Sequence, residues 1–69
     1  GALPWAALPP LLRRLWRDVC RRVQPRHRAG RLKQWLHALQ ARYPQAAAAF
    51  GDLRHMSETA PITAYLEQL

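Results

Sequence analysis

Six prolines divide this 69-residue chain, and the apolar residues between them recur every three or four positions. A proline inside a helix removes a hydrogen bond and clashes with the preceding turn, but at a helix start it sacrifices nothing. The stretches bounded by Pro9-Pro10, Pro25, Pro44 and Pro61 therefore read as short helices meeting at corners. No stretch alternates apolar and polar residues with period two, so no sheet is expected. The predicted fold class is all-α: a small four-helix bundle with short proline-bounded connections. The length permits one domain, residues 1–69. The hydrophobic fraction, 49%, is too high for a disordered tail.

The first helix follows Pro9-Pro10 and ends at Pro25; a start at Trp5, with a bend at the prolines, fits the same pattern. Leu11, Leu12, Leu15, Trp16, Val19, Cys20 and Val23 share its apolar face, opposite Arg13, Arg14, Arg17 and Arg21. Residues 24–30 are predicted to be a loop carrying Arg26, His27 and Arg28. The second helix spans residues 30–42, beginning at Gly30 or Arg31, with a stripe of Leu32, Trp35, Leu36, Leu39 and Tyr43. Tyr43-Pro44 forces a corner, and Pro44 starts a third helix through Ala46, Ala47, Phe50 and Leu53, with Gly51 weakening its far end. Residues 56–60 connect, with Ser57 or Thr59 as a cap. Pro61 opens the last helix, whose Ile62, Tyr65, Leu66 and Leu69 face the core.

Charge is the second constraint. The net charge is +7, and residues 13–42 hold ten bases against Asp18 alone, a net +9, while residues 43–69 carry one base against three acids, a net −2. A solubilising surface mixes its signs. Like charges gathered in one half of a small protein call for a polyanion, nucleic acid or an anionic membrane surface. Arginine outnumbers lysine ten to one, and the guanidinium fork matches phosphate oxygens.

Other chemistries find little support. Cys20, His27, His37 and His55 lack the paired spacing of metal ligands, so no metal site is expected. Cys20 lies at the edge of an apolar face, as a packed thiol does. No glycine-rich phosphate loop is present, and four carboxylates are few; no catalytic residue is assigned, and this chain alone is not expected to be an enzyme. Trp16 and Trp35 read as core residues, whereas Trp5, outside the clear helices, is open to base stacking. A single cysteine forms no internal disulfide, and prolines interrupt the N-terminal apolar stretch where a signal peptide would lie. No apolar run approaches the roughly 18 residues of a membrane span. A cytoplasmic monomer is expected, and a start at Gly1 rather than Met points to an excised fragment or a tag remnant. Three classes stay open: an RNA-binding module, a helix-turn-helix-like DNA-binding domain, whose turn is normally shorter than residues 24–30, and a basic amphipathic membrane or protein-interaction module.

Three motifs narrow the choice. Leu3-Pro4-Trp5, then Gly30-Arg31-Leu32-Lys33-Gln34-Trp35-Leu36, then Tyr43-Pro44-Gln45-Ala46 with Phe50 downstream together resemble the C-terminal helical tRNA-binding domain of bacterial tRNA-dihydrouridine synthases, in the branch that modifies uridine 16 of the D-loop. The resemblance covers residues 3–54 and is weaker in the last helix. It implies a parent flavoenzyme whose separate catalytic barrel uses FMN and NADPH to reduce a uridine, while the helical domain recognises and positions the tRNA. It implies tRNA and that barrel as partners, no membrane, and no cofactor in this chain. Cys20 has no counterpart in the family's catalytic cysteine, which belongs to the barrel. The match extends to Arg31, Lys33, Gln34 and Trp35. The wider candidate RNA-binding set adds Arg26, Arg28, His37, Arg42, Arg17 and Arg21 by charge and placement, with Gln34 or His37 at a base edge or 2′-hydroxyl and Trp35 holding its helix in place.

Overall fold

The computed structural model describes residues 3–69. A 3-10 turn at Trp5–Ala7 leads into four α-helices: α1 Leu8–Arg22, α2 Pro25–Leu39, α3 Pro44–Leu53 and α4 Thr59–Gln68. The described residues contain no strand, so the all-α expectation holds. The radius of gyration is 11.4 Å, against about 11 Å for a compact chain of this length. The helices therefore close on one core.

On α1 the buried side chains are Leu8, Pro9, Leu12, Trp16 and Val19, a stripe one turn apart. Leu11 and Leu15, expected inside, are 43% and 45% exposed. Each precedes a buried residue by one position and so lies about 100° round the helix from it. With α2 and α4 as its covering helices, α1 buries an arc narrower than its apolar face. Trp16, 2% exposed, is a core residue as predicted, and its indole Nε1–H donates to Thr63 Oγ1 at 2.8 Å.

The boundary between α1 and α2 differs from the sequence reading. Residues 24–30 are not a loop. Val23 and Gln24 are extended, the conformation favoured before proline, and Pro25 is the first residue of α2. The same proline that stops one helix starts the next, because its missing N–H falls where no intrahelical bond is made. The two-residue connection also removes the loop-length argument against a helix-turn-helix. At its other end α2 stops at Leu39 rather than residue 42, and the chain tightens so that both Arg42 and Tyr43 donate N–H to Leu39 O at 3.0 Å.

Leu32, Leu36, Leu53, Ile62 and Leu66 form the most deeply buried layer. In α3 the residues turned inward are Ala46, Ala49 and Leu53. α4 begins two residues before Pro61, its N-cap is Glu58, and no side chain bonds at that cap; the predicted Ser57 or Thr59 cap is not made. Trp35, Tyr43, Phe50, Tyr65 and Leu69 pack against the core at half-burial.

Two of the sequence motifs meet in space. Tyr43 Oη donates to Leu3 O at 2.6 Å, and the rings of Trp5 and Tyr43 lie 5.9 Å apart, tilted by 48°. Trp5 thus closes the bundle against the α2–α3 corner, rather than standing free as a stacking platform.

Candidate nucleic-acid interface

The structure sorts the candidate residues into three places. The first is the outer arc of α2. Ala29, Leu32 and Leu36 face the core, which leaves Arg26, His27, Arg31, Gln34 and His37 exposed on the far side. Arg26 Nε donates to His27 Nε2 at 3.1 Å, and the His37 ring meets Phe50 edge-on at 5.9 Å. Arg31 and Gln34 make no side-chain hydrogen bond or ion pair among the described residues.

The second place is a groove of about 640 Å³ between α1 and α4, lined by Arg14, Trp16, Arg17, Cys20, Arg21, Thr59 and Thr63. It holds Arg17 and Arg21 from the candidate set. Arg14, outside that set, lies on the same strip of α1, three residues before Arg17. Thr59 and Thr63 carry no local signal; they belong to the groove only because α4 packs beside α1. Arg21 pairs with Asp18 at 3.3 Å and Arg22 with the same carboxylate at 3.1 Å. Both pairs are exposed, and such pairs contribute little to stability. The third place is the turn after α2, which presents Arg42 to solvent. The candidates thus lie on three parts of the surface, with Thr59 bordering both the groove and the Arg26 end of α2.

Two of the candidates have internal partners. Arg28 Nε donates to Val23 O at 2.8 Å, and its Nη1 to Thr59 Oγ1 at 3.3 Å. Lys33 Nζ donates to Arg54 O at 3.0 Å. Of the Arg-Leu-Lys-Gln-Trp-Leu motif, then, Leu32 and Leu36 fill the core, Trp35 packs against it, Lys33 ties α2 to α3, and only Arg31 and Gln34 point outward.

Nothing among the described residues gathers three or more metal-ligating side chains, and no polar or charged side chain is buried. No described helix is long and apolar enough to cross a membrane.

Sequence comparison gives this geometry a context. The chain is 41% identical over 64 residues to the tRNA-dihydrouridine(16) synthase of Pseudomonas putida, which covers 93% of the chain and 20% of that protein. It is 46% identical over 52 residues to the synthase of Aquipseudomonas alcaligenes, 75% of the chain and 16% of that protein. It is 34% identical over 68 residues to the synthase of Vibrio cholerae, 99% of the chain and 21% of that protein. The chain thus spans about a fifth of the length of the curated relatives it matches. No family model and no solved structure matches it.

Proposed function

We propose that this chain, homologous over most of its length to a one-fifth segment of the tRNA-dihydrouridine(16) synthases, is the part of such an enzyme that recognises and positions tRNA. The homology carries the proposal, and the charge explains how the segment would work. Arg26 and Arg31 on the outer arc of α2 would meet backbone phosphates, with Gln34 and His37 placed to reach a base edge or a 2′-hydroxyl. Arg42 would extend the contact at one end of α2. Arg28 and Lys33 would contribute positive potential from positions fixed by their internal bonds.

In this reading the chain is one helical domain of a flavoenzyme. The reducing chemistry, with FMN and NADPH, belongs to a catalytic barrel elsewhere in the parent protein. The contribution of this chain is to fix where the RNA lies relative to that barrel. Holding a substrate in register can account for a large part of a rate enhancement without any chemical group taking part. The DNA-binding alternative gains a shorter turn from the structure, but no homology favours it.

The test is a binding series with folded tRNA, duplex DNA and anionic vesicles in competition, on the wild type and an Arg31→Ala/Gln34→Ala variant. Both side chains are exposed, so the variant should fold. Preference for tRNA, and an affinity loss of at least several-fold in the variant, are expected. A preference for duplex DNA or vesicles would overturn the reading, and unchanged tRNA affinity would remove the α2 arc from it.

A further inference from the structure

We propose that the groove between α1 and α4 is a second phosphate-binding site, which holds a phosphodiester stretch of RNA apart from the α2 arc. The proposal rests on the RNA-binding reading above and adds a site to it. Arg14, Arg17 and Arg21 follow one another at i, i+3 and i+7 along a single strip of α1, a run of about 10 Å. That is a line of charge rather than a point, and it suits a chain of phosphates better than one small anion. No carboxylate lines the groove, and among the described residues Arg14 and Arg17 have no acidic partner. Their mutual repulsion is relieved only when an anion arrives.

The walls are already fixed. Thr63 Oγ1 accepts the Trp16 indole N–H at 2.8 Å and donates to Thr59 O at 2.9 Å, while Thr59 Oγ1 accepts from Arg28. These bonds tie α4 to α1 and to α2, so the groove needs no closure of its helices before binding, and the ordering cost that remains is that of the exposed arginine side chains. The floor is Trp16 and Cys20, neither of them exposed. Leu11 and Leu15 are exposed on the neighbouring face of α1 beside Arg14 and Arg21, so the vesicle arm of the test below separates a lipid surface from RNA.

Arg31 and Gln34 do not line this groove. A module with one contact strip leaves the RNA free to rock about it; two separate strips fix orientation as well as position. The groove thus supplies what positioning requires and affinity alone does not.

The experiment uses the whole 69-residue chain with exposed Arg14 and Arg17 replaced, R14Q/R17Q, beside the Arg31→Ala/Gln34→Ala variant, with circular dichroism reporting the fold of each. Binding to folded tRNA is measured across a sodium chloride series, and amide resonances of the wild type are followed during titration with the same tRNA. We expect R14Q/R17Q to bind several-fold more weakly, with the slope of log affinity against log salt shallower by about 1 to 2. The amides of Arg14, Arg17, Cys20, Arg21, Thr59 and Thr63 should shift. If R14Q/R17Q keeps wild-type affinity and slope while the α2 variant is weakened, the groove proposal is wrong and the tRNA reading stands. If the wild type ignores tRNA but the groove amides respond to phosphatidylglycerol–phosphatidylcholine vesicles or to polyglutamate, both readings of the ligand are wrong.

Discussion

Arg28, Lys33 and Arg13 each reach the carbonyl end of a helix that is not their own. Arg28 of α2 caps α1 at Val23 O, Lys33 of α2 caps α3 at Arg54 O, and Arg13 of α1 reaches Leu66 O in the last turn of α4 at 3.2 Å. A cation at a helix C-terminus contributes about 0.3–1 kcal/mol, so part of the positive charge is structural. These roles were hidden in the sequence because each depends on which helix end happens to lie nearby. Tyr65 has a similar tertiary role with a measurable consequence. Its hydroxyl donates to Asp52 Oδ2 at 2.7 Å. Burial, that hydrogen bond and the carboxylate's charge push its phenol up to about 12 from an ordinary 10.0. The folded state therefore holds this proton more tightly than the unfolded chain does. Its contribution to stability is complete below pH 10 and is lost as pH rises through about 12. Ultraviolet titration should show a tyrosinate component near pH 12 that Y65F removes, and wild type should lose more thermal stability than Y65F between those pH values. Equal losses would show that the Asp52 contact does not distinguish the two states.

At the scale of elements, the early start of α2 makes a prediction that the sequence reading would not. Gly30 lies inside the helix, is exposed, and a Cβ built on it meets nothing within 4 Å. Alanine there should stabilise the fold by about 0.5–1 kcal/mol, raising Tm by roughly 2–8 °C for a domain of this size. With Gly30 at the boundary between loop and helix, as the sequence reading has it, the helix-interior propensity gain would be absent, and an unchanged or lowered Tm would support that boundary. The difference has a definite origin. Apolar periodicity located the four helices and placed Trp16, Leu32, Leu36, Ile62 and Leu66 inside, because each helix must turn one stripe to the core. It could not locate the first turn of α2, where Pro25, Arg26, His27 and Arg28 offer no apolar stripe and Pro25 reads equally as a stop or a start. Nor could it separate Leu11 and Leu15 from Leu12 and Trp16, since only the packing of α2 and α4 decides how wide an arc of α1 is covered. The candidate site divides in the same way. Its cationic character was plain from residues 13–42, whereas its partition between the α2 arc and the α1–α4 groove depends on how the helices pack.

At the scale of the whole molecule, a net +7 on 69 residues stands against a core that a small domain can only just supply. Ten of the eleven basic residues lie between positions 13 and 42, and the only ion pairs among the described residues are the two that share Asp18. Repulsion within the basic half is therefore carried largely uncompensated in the free protein. It should weaken as salt shortens the Debye length, which falls from about 30 Å at 0.01 M to about 8 Å at 0.15 M. Tm of the free chain should accordingly rise between those two salt concentrations, and R14Q/R17Q, with two fewer charges on one strip of α1, should show a higher low-salt Tm and a smaller rise. Saturation with a bound polyanion should raise Tm further by mass action, by about 2.7 kcal/mol of stability at a hundredfold excess over Kd. The two effects separate cleanly, because added salt strengthens the free fold while weakening the complex. A free-chain Tm that falls with salt would mean that local attractions such as the Asp18 pairs and the helix-end cations outweigh the repulsion, and the basic half would then need no polyanion to relieve it.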